Sequence, residues 1–279
     1  VQLLPDGVEV FTPYGATEAL PVANIGSREI LAETRHLTDR GRGVCVGRPV
    51  PGVDVFVMPI SDAAAHDWDP AGSLPPGEVG EFVVRGPVVT KRYFNRPDAT
   101  KLAKVRDPHG EVMHRMGDVG YRDEAGRLWF CGRKSQRVVT PWGTLFTDMV
   151  EPVFNAVEGV FRTALVGVTR GKETYPVVCV ERVSVDNLPA GVKPPTRPVP
   201  WAELEAALRA AAGAAGHTRR VGTFLPYRKP GGFPVDVRHN AKVNREKLAR
   251  WADRKLGGRW RPGDNTRMAD SAAGAGTPP

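Results

Sequence analysis

The stretch HRMGDVGYRDEAGRLWFCGRKS, residues 114–135, decides how the chain is read. It contains an acidic turn at Gly117-Asp118 and a polar turn at Asp123-Glu124-Ala125-Gly126. A short strand follows from Arg127 to Cys131, ending in Gly132-Arg133-Lys134-Ser135. Turn residues on both sides of an alternating apolar run predict a hairpin-like element that brings Asp118 and Arg133 near each other. A carboxylate accepts hydrogen bonds from two adjacent hydroxyls, and a guanidinium beside it donates to the same sugar or to a phosphate. The pair therefore suits ribose recognition. It also suits a surface salt bridge beside a β-turn, and the two residues alone do not choose between these readings.

Working outward toward the N-terminus, residues 8–14 alternate apolar and polar as a strand does and run into Pro13-Tyr14-Gly15-Ala16-Thr17-Glu18. A strand ending in a glycine turn with a hydroxyl and a carboxylate suits a nucleotide at the carboxyl edge of a sheet. There Tyr14 would stack on a base, Thr17 would bond a phosphate oxygen and Glu18 would hold Mg²⁺. A tyrosine-glycine turn that opens a helix without any ligand has the same residues. Val53–Ile60 and Glu81–Arg85 predict short strands, separated by a Pro/Gly/Asp-rich surface loop from Ser61 to Gly77. The run through Lys91-Arg92-Tyr93-Phe94-Asn95 to Thr100 reads as scaffold.

Toward the C-terminus the pattern changes to a compact α/β one, which predicts a second domain. Thr147 to Glu158 predicts a helix with Asp148 near its start, where negative charge is favoured. Arg162–Thr169 and Tyr175–Val183 predict strands, Asp186 to Pro200 a proline-rich loop, Trp201–Ala212 an amphipathic helix and Val221–Leu225 a further strand. Asn244 suits a helix N-cap, after which Leu248, Trp251, Ala252 and Leu256 share one face.

A chain of 279 residues with 41% hydrophobic and 25% charged residues is long enough for about two domains. No apolar run approaches the roughly 20 residues that span a bilayer, and no signal-like segment opens the sequence. Cys45, Cys131 and Cys179 are far apart and each lies among apolar residues. Buried thiols in a reducing, cytoplasmic setting are expected, with no disulfide framework or zinc site. Of the net charge of +8, an excess of ten comes from fourteen Lys/Arg against four Asp/Glu between His217 and Arg267. That end lacks a groove-reading motif and a stacking set of aromatics, so an anionic small substrate accounts for the charge and no nucleic-acid partner is expected.

Four blocks in order resemble the core motifs of the adenylate-forming superfamily of acyl-CoA synthetases, peptide-synthetase adenylation domains and luciferases. They are Tyr14-Gly-Ala-Thr-Glu18, Gly77-Glu-Val-Gly-Glu81 through Gly86 and Tyr93, Met116-Gly-Asp118, and Gly132-Arg133. A fifth, Phe233-Pro-Val-Asp-Val-Arg-His-Asn-Ala-Lys242-Val-Asn-Arg245-Glu-Lys-Leu248, resembles the family's closing motif. The resemblance implies an α/β (α+β) fold. Residues 1–134 would be the strand-rich C-terminal part of the large AMP-binding domain, and residues 135–256 a small mobile domain, with a disordered tail at 257–279. It implies ATP and Mg²⁺ as cofactors. Tyr14 would stack on adenine beside Gly15, Thr17 would touch the α-phosphate, Glu18 would ligate Mg²⁺, and Asp118 and Arg133 would hold the ribose. Ser135 falls at the hinge position, where Asp or Lys is usual. Lys242 would be the catalytic lysine, bridging the substrate carboxylate and the α-phosphate; Ala241 stands before it where glycine is usual.

The strings Pro13-Tyr-Gly-Ala-Thr-Glu-Ala-Leu-Pro, Cys131-Gly-Arg-Lys-Ser and Pro234-Val-Asp-Val-Arg-His-Asn-Ala-Lys resemble more narrowly the olefin-pathway β-lactone synthetases. That subgroup activates a 2-alkyl-3-hydroxy fatty acid with ATP, which implies this acid as substrate and other enzymes of an olefin pathway as partners. Where acyl-CoA synthetases offer a glycine-lined pantetheine entry, this chain has Thr140-Pro-Trp142-Gly-Thr-Leu-Phe-Thr; Trp142 would either obstruct CoA or serve as a core residue of the small domain. No Gly/Ser/Thr-rich phosphate loop followed by lysine occurs in the sequence. The resemblance covers residues 8–256 and matches the later part of a longer enzyme, so the chain alone is expected to be inactive or nearly so. A fatty acyl-CoA or acyl-AMP ligase, and a non-enzymatic remnant that binds a partner, are the alternative expectations.

Overall fold

The computed structural model describes residue 5, residues 7–184, residue 187, residues 199–236 and residues 242–261. These fall into two compact units. One contains the residues up to Thr38 and Arg42–Ser135; the other contains Asp39–Gly41 and the residues from Gln136 onward. Most of the expected proline-rich loop (186–200), most of the expected tail (257–279) and the part of the closing motif at 237–241 lie outside the described residues. Among the described residues no helix is long and apolar enough to cross a membrane.

The first unit is built on one antiparallel sheet. Its strands are β1 (Phe11–Ala16), β2 (Ala19–Gly26), β3 (Val44–Pro49), β4 (Asp54–Met58), β5 (Gly80–Arg85), β6 (Lys104–Arg106), β7 (Val112–Arg122) and β8 (Leu128–Arg133). Their order is β1-β2-β3-β8-β7-β5-β4, and β6 also pairs with β7. A helical run links β2 to β3, formed by α1 (Ser27–Glu29), a π-turn (Ile30–Thr34) and α2 (Arg35–Asp39); α3 (Pro97–Ala103) precedes β6. Both faces of the sheet's centre are covered. Phe82 and Val84 of β5 pack with Val55, Val57 and Leu128, whereas Val83 packs with Met58, Val105 and Met113. Double-sided burial explains why Phe82-Val-Val reads as a continuous apolar run rather than an alternating one.

Two turns expected from the sequence are bulges inside strands. Gly117-Asp118 lies in the middle of β7. There Glu81 pairs with Val119 and Val83 with Arg115, so β7 carries two extra residues opposite β5. Gly117 adopts φ +65°, a conformation that a side chain disfavours. A bulge and a turn call for the same residues, and only the strand partners on both sides separate them. Likewise Tyr14-Gly15-Ala16 neither ends the strand nor opens a helix: β1 continues through it into a hairpin with β2, and the register shifts at Gly15. A Cβ on Gly15 would lie 2.5 Å from the Ala19 carbonyl oxygen and 2.8 Å from the Leu20 side chain, so the close approach requires glycine. The expected turn at 123–126 is present, closed by Gly126 N–H donating to the Asp123 carbonyl at 2.9 Å.

The second unit is a three-stranded sheet of β11 (Val160–Arg170), β12 (Glu173–Arg182) and β13 (Phe224–Pro226), in that order, with β13 parallel to β12. Two small hairpins accompany it, β9 (Val138–Thr140) with β10 (Gly143–Leu145) and β14 (Val235–Asp236) with β15 (Lys242–Val243). Period-2 alternation distributes the core. Leu165, Val178 and Val180 face α4 (Thr147–Asn155) and α5 (Trp201–Ala214), meeting Val150, Phe154, Leu204 and Leu208. Ala164, Val166, Val177 and Cys179 face α6 (Arg245–Leu256), meeting Leu248 and Ala252. The sheet is sandwiched because β11 and β12 are apolar on both faces. Helix α4 stops at Asn155, short of the expected Glu158, and the Asn155 side chain accepts the Thr163 N–H at 2.7 Å, tying the helix end to β11. Asn244 caps α6 by accepting the Lys247 N–H at 3.0 Å.

Candidate functional site

Three of the expected nucleotide-binding residues meet directly. Asp118 of β7 and Arg133 of β8 are register partners, and Arg133 Nη1 lies 2.8 Å from Asp118 Oδ1. The Tyr14 hydroxyl of β1 donates to Asp118 Oδ2 at 2.6 Å. The Tyr14 ring packs edge-on against Phe82 and tilted against Phe130, each at 6.2 Å between centroids. Burial first, then the Asp118 charge and the hydrogen bond to it, raise the Tyr14 pKa well above the usual phenol value. Asp118 is 2% exposed whereas the Arg133 side chain is 40% exposed, so the pair is a buried acceptor with an accessible fork of donors beside it. The β8 strand reaches Arg133, beyond the expected end at Cys131, and this extension places Arg133 in register with Asp118.

Thr17 and Glu18 form the turn of the β1–β2 hairpin, with Thr17 exposed and Glu18 half-buried. The Tyr93 hydroxyl donates to Glu18 Oε1 at 2.8 Å, and the Thr90 N–H donates to the Glu18 carbonyl at 2.9 Å. Burial works to raise the Glu18 pKa. The Tyr93 hydrogen bond, the backbone and the nearby His114 and Lys104 outweigh it, leaving the carboxyl below its ordinary value and ionised. Among the described residues no group of three or more His, Cys, Asp or Glu could hold a metal ion. One ionised carboxylate nonetheless fits Mg²⁺, which commonly takes one or two carboxylates together with water and substrate phosphates.

Sequence reasoning gave Tyr93 no role and passed over Lys104 and His114. Lys104 is buried, donates to the Thr90 hydroxyl at 3.1 Å and stands 5.9 Å from the centre of the Tyr93 ring. Burial lowers its pKa to about 8. In sequence it sits in Lys101-Leu-Ala-Lys104-Val-Arg106 and carries no signal separating it from a solvated lysine. A second buried cluster, equally silent, has Glu81 Oε2 accepting from Arg115 at 2.6 and 3.1 Å and from Lys134 at 2.9 Å.

In the second unit Lys242 is exposed in β15, with Asp236 of β14 as its register partner. Ser135 lies in a 3₁₀ turn (Lys134–Gln136), and the division between units follows it. Trp142, on the β9–β10 hairpin, is 37% exposed rather than a core residue; its ring leans on Tyr175 at 5.7 Å and takes the Arg220 guanidinium at 5.6 Å. The three cysteines are free and buried.

The antiparallel sheet of the first unit and the small α/β second unit recur in known structures. Residues 1–94 match the family described as AMP-binding enzyme. The fold matches an amide bond synthetase from Marinactinospora thermotolerans (TM-score 0.62, 24% identity, 87% of this chain and 42% of that one). It also matches o-succinylbenzoate CoA synthetase from Bacillus subtilis, solved with its acyl-adenylate (TM-score 0.62, 21% identity, 87% and 41%). The chain thus resembles the AMP-binding enzymes over residues 1–94 and has the fold of the adenylate-forming enzymes. It is 49% identical to the olefin beta-lactone synthetase of Xanthomonas campestris over 254 residues, covering 90% of this chain and 43% of that protein. It is 50% identical to the olefin beta-lactone synthetase of Stenotrophomonas maltophilia over 259 residues, 91% and 44% respectively. The chain thus spans less than half the length of these two relatives.

Proposed function

We propose that this chain carries ribose-binding, phosphate-binding and catalytic-lysine elements of an ATP-dependent, AMP-forming ligase. Its substrate would be a 2-alkyl-3-hydroxy fatty acid, closed to a β-lactone. The observation that carries the AMP-forming reading is the Tyr14–Asp118–Arg133 cluster, a buried carboxylate beside an accessible guanidinium. The identity of about half to two olefin beta-lactone synthetases supports the acid class. In this reading Asp118 and Arg133 bind the ribose, Tyr14 and Gly15 border the adenine, and Thr17 contacts the α-phosphate. Glu18 would hold Mg²⁺, which when bound neutralises phosphate charge. Residues 1–134 act as the later part of the nucleotide-binding domain and 135–256 as the small domain turning at Ser135, in a cytoplasmic enzyme that works with others of an olefin pathway.

The chemistry has two steps. A carboxylate oxygen bonds to the α-phosphorus and pyrophosphate leaves; the Lys242 ammonium offsets the approach of two anions. The 3-hydroxyl oxygen then bonds to the acyl carbon, its proton is released, and AMP departs with the electron pair of the broken C–O bond. Because nucleophile and electrophile belong to one molecule, ring closure is effectively unimolecular and needs no separate acceptor.

The test uses the enzyme as its source organism makes it, supplied with ATP, Mg²⁺ and a 2-alkyl-3-hydroxy fatty acid without CoA. AMP release with a product lighter than the acid by one water is expected. AMP formed only after CoA is added would replace this reading with a thioester ligase, and no AMP under either condition would leave a binding module.

A further inference from the structure

We infer that the Arg245–Glu151 ion pair is a positioning device for Lys242, fixing the segment that carries this lysine to the residue that follows the hinge position. The inference rests on the role proposed above for Lys242. The Arg245 guanidinium spends nearly all of its fork inside the second unit. Nη2 donates to Glu151 Oε2 at 3.0 Å, Nη1 to Glu151 Oε1 and to the Leu165 carbonyl at 3.2 Å, and Nε to Gln136 Oε1 at 3.1 Å. Glu151 in turn accepts the Leu165 N–H at 2.7 Å. Four segments therefore meet at one partly buried joint: α4, β11, the first residue of α6, and Gln136.

Lys242 is three residues from that joint. Between them Asn244 caps α6, and its own N–H donates to the Pro234 carbonyl at 2.7 Å; Lys242 itself pairs in register with Asp236. The lysine's backbone is thus braced by β14 on one side and by the capped, ion-paired start of α6 on the other. Stability alone does not call for such a pair. A hydrophobic pair of similar volume often holds two elements as well as a buried ion pair does, because the ions must be desolvated. What the planar fork adds is direction, since its donors meet carboxylate, carbonyl and amide at fixed angles that an aliphatic chain or a lysine does not reproduce.

The experiment compares Glu151→Met/Arg245→Met and Arg245→Lys with the wild-type enzyme as its source organism makes it. Readouts are melting temperature and ATP–pyrophosphate exchange with the acid substrate. The double variant is expected to regain the wild-type melting temperature while its exchange kcat stays at least about tenfold down and both KM values stay within about twofold, as for a displaced catalytic group. Exchange kcat returning together with stability would overturn the inference, and so would a loss expressed in KM. Should the double variant fail to fold, Arg245→Lys keeps the charge and loses the fork; the same kcat-only loss is expected, and a wild-type kcat would overturn the proposal. Lys242→Ala is measured alongside. Exchange surviving in that variant would remove the role assigned to the lysine, a failure separate from that of the ion pair.

Discussion

Asp118 and Arg133 stand directly opposite each other on β7 and β8, 2.8 Å apart at the nearest atoms, with the second oxygen of Asp118 taken by the Tyr14 hydroxyl. Register irregularities flank this pair. β7 carries extra residues opposite β5, and the β7–β8 register shifts between Val119 and Gly120. Bulges re-aim side chains at the rim of a sheet, and here they leave the guanidinium accessible above a buried carboxylate.

Replacing Asp118 by Asn keeps the shape and removes the charge that Arg133 and Tyr14 both meet. A hydrogen bond to a charged group contributes about 1.5–3 kcal/mol, so the KM for ATP is expected to rise about tenfold or more while the KM for the acid stays near its wild-type value. Steady-state kinetics with each substrate varied in turn checks this. Equal rises in both KM values would count against a nucleotide-specific role.

Tyr14→Phe keeps the ring against Phe82 and Phe130 and deletes only the donor to a buried carboxylate. An unmet buried acceptor costs about 1–3 kcal/mol, which urea unfolding would register. The raised pKa has its own signature: the Tyr14 phenol should remain protonated through the pH range in which an exposed tyrosine ionises. Comparing ultraviolet difference titrations of the wild-type protein and Tyr14→Phe isolates that one chromophore; ionisation of Tyr14 at the ordinary phenol pKa would contradict the buried arrangement.

Arg115 and Glu81 form a nearly water-free ion pair, 2% and 1% exposed at their side chains, joined by Lys134. Arg115→Met strips Glu81 Oε2 of two donors from one guanidinium, and breaking a buried pair from one side costs about 3–5 kcal/mol. Glu81→Gln/Arg115→Met should recover most of that loss. A single variant within 1 kcal/mol of wild type, roughly the worth of a surface pair, would show that Arg115 is not the buried partner described.

How much of this was legible in the sequence depended on what each residue advertises. The closeness of Asp118 and Arg133 followed from turn chemistry at 123–126, because a four-residue polar turn between apolar runs fixes which residues face each other. The cap at Asn244 followed from its side chain's capping chemistry and the apolar face of α6 from periodicity. The bulge at Gly117 has the sequence of a turn because both need a left-handed glycine, and the difference lies in the long-range partner Glu81. Helix α3 and strands β2, β3 and β6 were not foreseen, since their residues lack a clear period and their pairing is set by distant strands. Lys104 and Arg115 are illegible for the same reason: a buried cation and a solvated one are spelled alike until the fold supplies the partner, whereas Tyr93 lies in a family-like block that gives it no role.

His114 yields the sharpest pH prediction. It is 2% exposed, its Nδ1 lies 3.0 Å from the Ala103 carbonyl, and Lys104, Glu18 and Glu81 are its charged neighbours. Burial first, and then the Lys104 charge, lower its pKa to about 4 from the ordinary 6.5. Below about pH 6.5 the unfolded chain takes up a proton that the folded chain refuses until about pH 4, so stability falls as pH falls through this window and rises again as pH is raised. A shift of this size corresponds to about 3 kcal/mol across the window. His114→Asn retains a donor toward Ala103 and cannot titrate. Urea midpoints of the wild-type protein and His114→Asn at pH 7, 5.5 and 4 should therefore diverge in slope, the wild-type protein losing about 3 kcal/mol more than the variant. Parallel pH profiles would mean that the imidazole is solvated and that the packing of β7 against β6 around it is wrong.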